Sequence, residues 1–175
     1  MTNMPIQLRT GEAADAAAIH ELITTNLSVG HLLPRTFEDI ESHVQRFVVA
    51  VSDEGTVVGC GELAPLSPQV AEVRSLAVDK SARHLGVGTM LVEELRVRAR
   101  RESYDKLCAF THAPGYFIQM GFSIVPHLWI PEKIFTDCVK CPLFRQCGQY
   151  AMVLPLDSIG DSVDSDAQTL VARHA

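Results

Sequence analysis

The sequence lacks several features that would assign it to a common class of protein. Lys and Arg total 15 against 21 Asp and Glu, a net charge of −6, so no long basic face is available for general nucleic-acid binding. No apolar run approaches the length of a bilayer span, and the N-terminus has no signal-peptide pattern. We therefore expect a cytoplasmic protein with neither nucleic-acid nor membrane partners.

Cysteines are few and do not form an evident disulfide framework, because their number, five in 175 residues, is odd. Cys138, Cys141 and Cys147 are closely spaced and have His127 nearby in sequence, but a second compact pair of metal ligands is missing. Three interpretations stay open, namely packed free thiols, a Cys141–Cys147 disulfide and a zinc site, and the first is favoured, with no metal expected. The other two cysteines fall in predicted strands and are expected in the core: Cys60 and Cys108.

Two common phosphate-binding motifs are also missing. There is no Gly-x-x-x-x-Gly-Lys-Ser/Thr, and no third glycine completes a Gly-x-Gly-x-x-Gly fingerprint. What remains is a single loop between an apolar strand and an amphipathic helix: Arg83-His84-Leu85-Gly86-Val87-Gly88. Glycines at a helix start let backbone N–H groups approach a ligand closely, and the helix dipole favours an anion there. The loop therefore predicts either a diphosphate site or simply a tight turn.

Hydrophobic periodicity predicts one domain over residues 1–156, since 47% hydrophobic content is enough for a sizeable core. Strands are expected at 6–9, 47–51, 56–63, 71–78, 106–111, 122–125 and 150–154. Helices are expected at 12–24, after Thr36, after Gly88 and at 114–120. Segments 26–34 and 126–140 are expected to be connections, and 157–175 a flexible tail.

This order of elements, together with the glycine loop, resembles the GNAT N-acetyltransferases over roughly residues 6 to 156. The resemblance implies an α/β (α+β) fold: a mixed, mostly antiparallel sheet with a central splayed parallel strand pair, flanked by helices. It also implies acetyl-CoA as co-substrate, lying between strands 71–78 and 106–111. Its diphosphate would lie on the backbone N–H groups from His84 through Thr89, with Arg83 adding charge. The backbone groups expected to pair with the pantetheine arm are those of Leu76, Ala77 and Val78, with the Leu76 N–H donating to the thioester carbonyl.

Acetyl transfer requires a free amine, and therefore a group that removes a proton from the ammonium. Glu72 stands where relatives often carry a glutamate base, although a solvated glutamate at a strand end is the alternative. Leu76 is four positions further along the predicted strand, and this spacing predicts that the side chains of both residues lie on the same face. Relatives commonly protonate the departing thiolate with a Tyr four residues before a Gly-Phe pair; here that position is Phe117. Tyr116 is one residue earlier and is a candidate acid, although solvent can also serve.

The segment 131–142, followed by Cys147, resembles the short stand-alone bacterial N-acetylglutamate synthases. This resemblance implies L-glutamate as acceptor, a role in arginine biosynthesis, and a dimer as a family expectation. A substrate with two carboxylates needs cations, preferably Arg, and the candidates in order of preference are Arg35, Arg74, and then Lys133 and His112. Two other functions stay open: acetylation of another small-molecule amine or a protein N-terminus, and non-catalytic regulation through acyl-CoA binding.

Overall fold

The structure is a computed structural model that describes residues 5–30 and 32–156, and these form a seven-stranded sheet in the order β1-β2-β3-β4-β5-β7-β6. The strands are β1 (Ile6–Thr10), β2 (Phe47–Ser52), β3 (Val57–Pro65), β4 (Val70–Val78), β5 (Lys106–Thr111), β6 (Ser123–Val125) and β7 (Tyr150–Pro155). The helices are α1 (Ala16–Thr25), α2 (Leu27–Gly30), α3 (Phe37–Ser42), α4 (Val87–Arg101), α5 (Pro114–Ile118) and α6 (Pro131–Thr136). The predicted tail at 157–175 lies outside the described residues.

The sheet is antiparallel except at its centre, where β4 and β5 run parallel and soon diverge. Their register covers only the pairs from Val70↔Lys106 to Glu72↔Cys108, and beyond Glu72 the two strands have no register partners on each other. A β-bulge accompanies the divergence: Arg74 is opposite Glu62 but Ala77 is opposite Cys60, so β4 carries one residue more than β3 over this interval. The predicted mixed sheet with a splayed parallel pair is confirmed.

Helix α4 covers one face of the sheet and α1 with α3 cover the other. Leu91 and Leu95 of α4 are fully buried, and glycines on β3 allow the helix to approach closely. A Cβ on Gly59 would lie 3.0 Å from Val87 Cγ1, and one on Gly61 would lie 3.0 Å from Leu95 Cδ1. On the other face, Ile19 and its neighbours from α1 pack against β2 and β3 in a second core cluster.

The two segments expected to be connections contain short helices that the sequence did not predict. Helix α2 has four residues within 26–34, and α6 has six residues within 126–140, with Pro131 in its first turn. A helix of one or two turns is too short to show, in its sequence, the repeating spacing of apolar residues by which helices are recognised. The longest described helix, α4, has 15 residues and ends in a basic turn, and no described helix has the length and hydrophobicity to span a bilayer.

Candidate active site

The glycine loop is built from alternating backbone conformations that begin α4. His84 has φ 64° and Gly86 has φ 78°, both left-handed, and Gly86 is the N-cap of the helix. Val87 is 1% exposed and anchors the first turn in the core, while Leu85 and Thr89 remain exposed. The loop thus presents the first N–H groups of a 15-residue helix at the protein surface, which is the arrangement that binds phosphate.

Arg83 is fixed before the loop by contacts to two other elements. Its Nη2 donates to Asn26 Oδ1 at 2.6 Å and its Nε donates to the Val78 carbonyl at 3.4 Å. Asn26 is buried and donates in turn to the Leu22 carbonyl at 2.7 Å. The guanidinium is therefore held between the C-terminal end of α1 and the C-terminal end of β4, next to the predicted diphosphate site.

The bulge in β4 overturns the prediction that Glu72 and Leu76 share a face. Glu72 and Arg74 are opposite Ala64 and Glu62 on β3, and therefore lie on the face covered by α1 and α3. Leu76 packs on the other face, in the core cluster beneath α4, where its Cδ1 is 3.3 Å from the position of a Cβ on Gly61. Side chains of a regular strand alternate between the two faces of the sheet, and the extra residue interrupts that alternation. Two residues four positions apart across the bulge therefore lie on opposite faces.

A charged cluster consisting of Glu72, Arg74, Lys133 and Asp137 lies on the α1 and α3 face, beside the point where β4 and β5 separate. Lys133 Nζ donates to both oxygens of Glu72, at 2.9 and 2.8 Å, and to Asp137 Oδ2 at 2.8 Å. Arg74 Nη2 donates to Glu72 Oε2 at 2.6 Å and also to Asp137. Glu72 is 4% exposed and Lys133 9%. The structure therefore brings together three of the residues singled out in the sequence, although α6 was not predicted.

Asp137 was not predicted from the sequence, yet it completes the ion pairing of this cluster. Partial burial acts to raise the pKa of its carboxyl, but Lys133 and Arg74 outweigh that effect and hold the pKa below its usual value. The Lys133 ammonium also lies 5.2 Å from the centroid of the Phe110 ring. Because each cation already contacts a carboxylate, an anionic substrate entering here would exchange partners with Glu72 or Asp137.

Arg35 lies next to the bulge rather than in the charged cluster itself. Its Nη1 donates to Glu62 Oε2 at 2.8 Å and to Ser75 Oγ at 3.0 Å, and its Nε donates to Asp39. Glu62 is 1% exposed and was missed in the sequence, although a carboxylate within an otherwise apolar strand was a visible signal. An internal Glu of this kind needs a cationic partner, and Arg35 supplies it.

Tyr116 and Phe117 take different positions at the end of the gap. Phe117 is buried and packs edge-to-face on Phe122, with ring centroids 5.2 Å apart. The hydroxyl of Tyr116 reaches the first turn of α4, 2.6 Å from where a Cβ on Gly88 would lie. That hydroxyl is buried and makes no hydrogen bond of ordinary geometry among the described residues. Burial raises the pKa of Tyr116, an effect that the nearby Thr89 side chain partly offsets.

The remaining candidates lie elsewhere. His112 is exposed beyond β5, with its Cε1 3.4 Å from the position of a Cβ on Gly148. All five cysteines are free thiols, and Cys60 and Cys108 are fully buried, as the strand pattern predicted. Among residues 5–30 and 32–156, no three His, Cys, Asp or Glu side chains are grouped so as to hold a metal ion.

Sequence comparison places this chain among acetyltransferases. An uncharacterized N-acetyltransferase of Chlorobaculum tepidum is 34% identical over 149 residues, covering 85% of this chain and 96% of the relative. The amino-acid acetyltransferase of Mycobacterium tuberculosis is 28% identical over 135 residues, covering 76% of this chain and 77% of that protein.

Solved structures show the same fold. A Mycobacterium tuberculosis protein crystallised with CoA and a second ligand superposes with a TM-score of 0.76 at 26% identity, covering 86% of this chain and 99% of that one. The N-acetylglutamate synthase of Neisseria gonorrhoeae, complexed with coenzyme A and N-acetyl-glutamate, superposes with a TM-score of 0.78 at 24% identity, covering 89% of this chain but 36% of that longer one. The profile of the acetyltransferase (GNAT) family matches residues 16–122. The chain belongs to the acetyltransferase (GNAT) family.

Proposed function

We propose that this protein transfers the acetyl group of acetyl-CoA to the α-amine of L-glutamate, the reaction of an N-acetylglutamate synthase in arginine biosynthesis. The observation that carries the proposal is the charged cluster, in which a buried Glu72 lies between Arg74 and Lys133 beside the gap between β4 and β5. A site of this composition suits a substrate that carries both carboxylate and ammonium groups. The amino-acid acetyltransferases among the relatives support the same acceptor class.

The cofactor would occupy the gap with its diphosphate on the first turn of α4. The N–H groups from His84 through Thr89 and the guanidinium of Arg83 would contact the diphosphate, since this is where the positive end of the helix dipole lies. Backbone groups at Leu76, Ala77 and Val78 would pair with the pantetheine arm as an added strand would. The Leu76 N–H would then donate to the thioester carbonyl oxygen, which becomes an oxyanion when the amine attacks.

The acceptor would enter from the opposite face of β4, where the charged cluster lies. A substrate carboxylate that takes over Arg74 or Lys133 frees an oxygen of Glu72 from its present hydrogen bond. That oxygen can then accept a proton from the α-ammonium, directly or through one water, and the neutral amine attacks the thioester carbon. Arg35 remains a candidate contact for the second carboxylate, and His112 a candidate at the end of β5.

Collapse of the tetrahedral intermediate breaks the carbon–sulfur bond, and the thiolate of CoA leaves and takes up a proton. Tyr116 is the candidate donor, because its hydroxyl lies at the first turn of α4 without a hydrogen bond of ordinary geometry among the described residues. Phe117 cannot donate, and it is buried in the core instead. A thiol pKa of about 8.5 also allows solvent to complete this step.

The proposal is tested by measuring acetyl-CoA-dependent thiol release across a panel of amino acids and other amines. We expect glutamate to give the highest kcat/KM. Replacing Arg74 by Gln should raise the KM for glutamate by at least about tenfold, because one charge-assisted hydrogen bond is lost. The KM for acetyl-CoA should not change. Arg101→Gln, at the exposed end of α4, is the matched control and should leave both constants unchanged.

Two outcomes would contradict the assignment. Faster turnover of another amine would keep the acetyltransferase activity but refute glutamate as acceptor. Calorimetric binding of acetyl-CoA without turnover of any amine would identify a regulator, for which the Phe at position 117 is the supporting feature.

A further inference from the structure

The bulge residue Ser75 is held in a backbone conformation that serine does not favour. Its φ is 53°, in the left-handed region, and neither Ser75 nor Leu76 has a register partner on β3 or β5 in the described sheet. Pairing with the neighbouring strands therefore does not fix the Ser75–Leu76 peptide. A residue other than glycine would relax from this conformation unless other contacts held the peptide in place.

Two side chains supply those contacts and a third holds one of them in place, and none of the three belongs to β4. Arg35 Nη1 donates to Ser75 Oγ at 3.0 Å, while the Cys60 thiol donates to the Ser75 carbonyl with Sγ–O at 3.6 Å. Glu62 in turn holds the guanidinium through Nη1 at 2.8 Å. Burial raises the pKa of Cys60 to about 12, so its sulfur keeps the proton that this contact requires.

We propose that Arg35, Cys60 and Glu62 form a clamp that fixes the Ser75–Leu76 peptide, so that the Leu76 N–H points into the gap between β4 and β5. All three are positioning residues, because they act on the reaction through the backbone of Ser75 and Leu76. The inference rests on the proposed function only in taking the Leu76 N–H as the donor to the acyl carbonyl. It gives Arg35 a role beyond that of the substrate contact expected from the sequence.

The geometry favours this role for Arg35 because three of its five N–H donors already have partners. Nη1 is shared between Glu62 and Ser75, and Nε is paired with Asp39. The side chain is only 13% exposed. A guanidinium fixed at these points is rigid, and rigidity is what positioning of a backbone donor needs.

The test is Ser75→Ala, which removes the hydroxyl of the clamp but leaves the ion pairs of Arg35 intact and so should fold. We expect kcat to fall by at least about tenfold with the KM for the amino acid unchanged, because a misaligned oxyanion donor acts on the transition state. Ser75→Gly should lose less than Ser75→Ala, because glycine adopts a positive φ without steric cost. Arg35→Lys should lower kcat in the same way. Ser52→Ala, which removes another buried strand hydroxyl, is the control and should change neither constant.

A binding measurement tests the clamp even if no acceptor is turned over. Acetyl-CoA and CoA differ in the acyl carbonyl, which is the group that the Leu76 N–H would contact. In Ser75→Ala the preference for acetyl-CoA over CoA should shrink by roughly fivefold, the effect of one hydrogen bond, while CoA binding stays as in the wild type. An unchanged preference would overturn the clamp, and so would an Arg35→Lys protein that raises the KM for the amino acid at constant kcat. Absence of turnover in the wild type would refute the proposed function alone.

Discussion

Gly88 offers the sharpest test of how the first turn of α4 is packed. A methyl group added there would place its carbon 2.6 Å from the hydroxyl oxygen of Tyr116, closer than atoms in van der Waals contact. The Tyr116 ring is itself confined, edge-to-face against Phe117 with centroids 5.3 Å apart. We therefore expect Gly88→Ala to lower the free energy of unfolding by about 1–3 kcal/mol, the usual effect of overpacking.

The cause of that loss can be isolated by removing the oxygen. In a Tyr116→Phe background the nearest ring atom to the new methyl would be Cζ, at 3.5 Å, which is an ordinary contact. Gly88→Ala should then be neutral or stabilise by up to about 1 kcal/mol through helix propensity. Tyr116→Phe alone should be neutral or slightly stabilising, since it removes a buried hydroxyl without an ordinary hydrogen bond. The coupling between the two sites should be about 1–4 kcal/mol.

Urea unfolding of the wild type, the two single variants and the double variant measures this coupling. Gly86→Ala is the control: Gly86 has φ 78° and nothing within 4 Å of an added Cβ, so its cost of about 1 kcal/mol is conformational and should be the same with Tyr or Phe at position 116. An equal cost of Gly88→Ala in both backgrounds would refute the packing argument.

Three further outcomes are expected. Lys133→Met leaves the buried Glu72 with one cation fewer and should lower the free energy of unfolding by about 2–4 kcal/mol in urea, most of which Glu72→Gln should restore in the double variant. The hydrogen bond from Arg9 holds the pKa of Asp15 below its usual value against the effect of burial, so Asp15 stabilises the fold above about pH 4 and loses that contribution as the pH falls through its folded pKa. Asp15→Ala should accordingly cost about 1 kcal/mol at pH 7 and progressively less as the pH falls below about 4 in thermal unfolding curves. A thiol reagent at pH 8 should label three cysteines in the native protein and five after unfolding, because the two strand cysteines are buried; labelling of all five in the native state would contradict this.

The parts of the fold set by local pattern were predictable from the sequence. The helix expected after Thr36 is one example, since the Thr36 side chain caps α3 by accepting from the Asp39 N–H at 3.2 Å. The strands and the glycine loop were also predicted, because strand alternation and helix-start glycines are signals confined to a few neighbouring residues.

What the sequence could not provide depends on contacts between distant segments. Nothing in the sequence Val-Arg-Ser-Leu indicates that Ser75 adopts a left-handed backbone conformation. The position of the bulge was therefore not predicted, and Leu76 was assigned to the wrong face of the sheet. Lys133 meets Glu72 across 61 positions of the chain, and Asp137 meets Arg74 across 63. Helix α6 is too short to be recognised by its period. Glu62 was the exception, because a carboxylate inside an apolar strand can be recognised from the amino-acid sequence alone.

The early end of the β4–β5 pairing has a consequence for solubility. Past Glu72, two neighbouring strands each present a backbone edge to the other across the gap, in the middle of the sheet. Free strand edges ordinarily recruit strands from other chains and lead to aggregation. Here the edges lie beneath α4 on one face of the sheet and beside the charged cluster on the other. A strand from another chain has side chains on both faces, so it would have to push α4 and the charged cluster away from the sheet. The narrow pantetheine arm of acetyl-CoA would not. The fold can therefore keep an open backbone edge in its interior without exposing that edge to other copies of the protein.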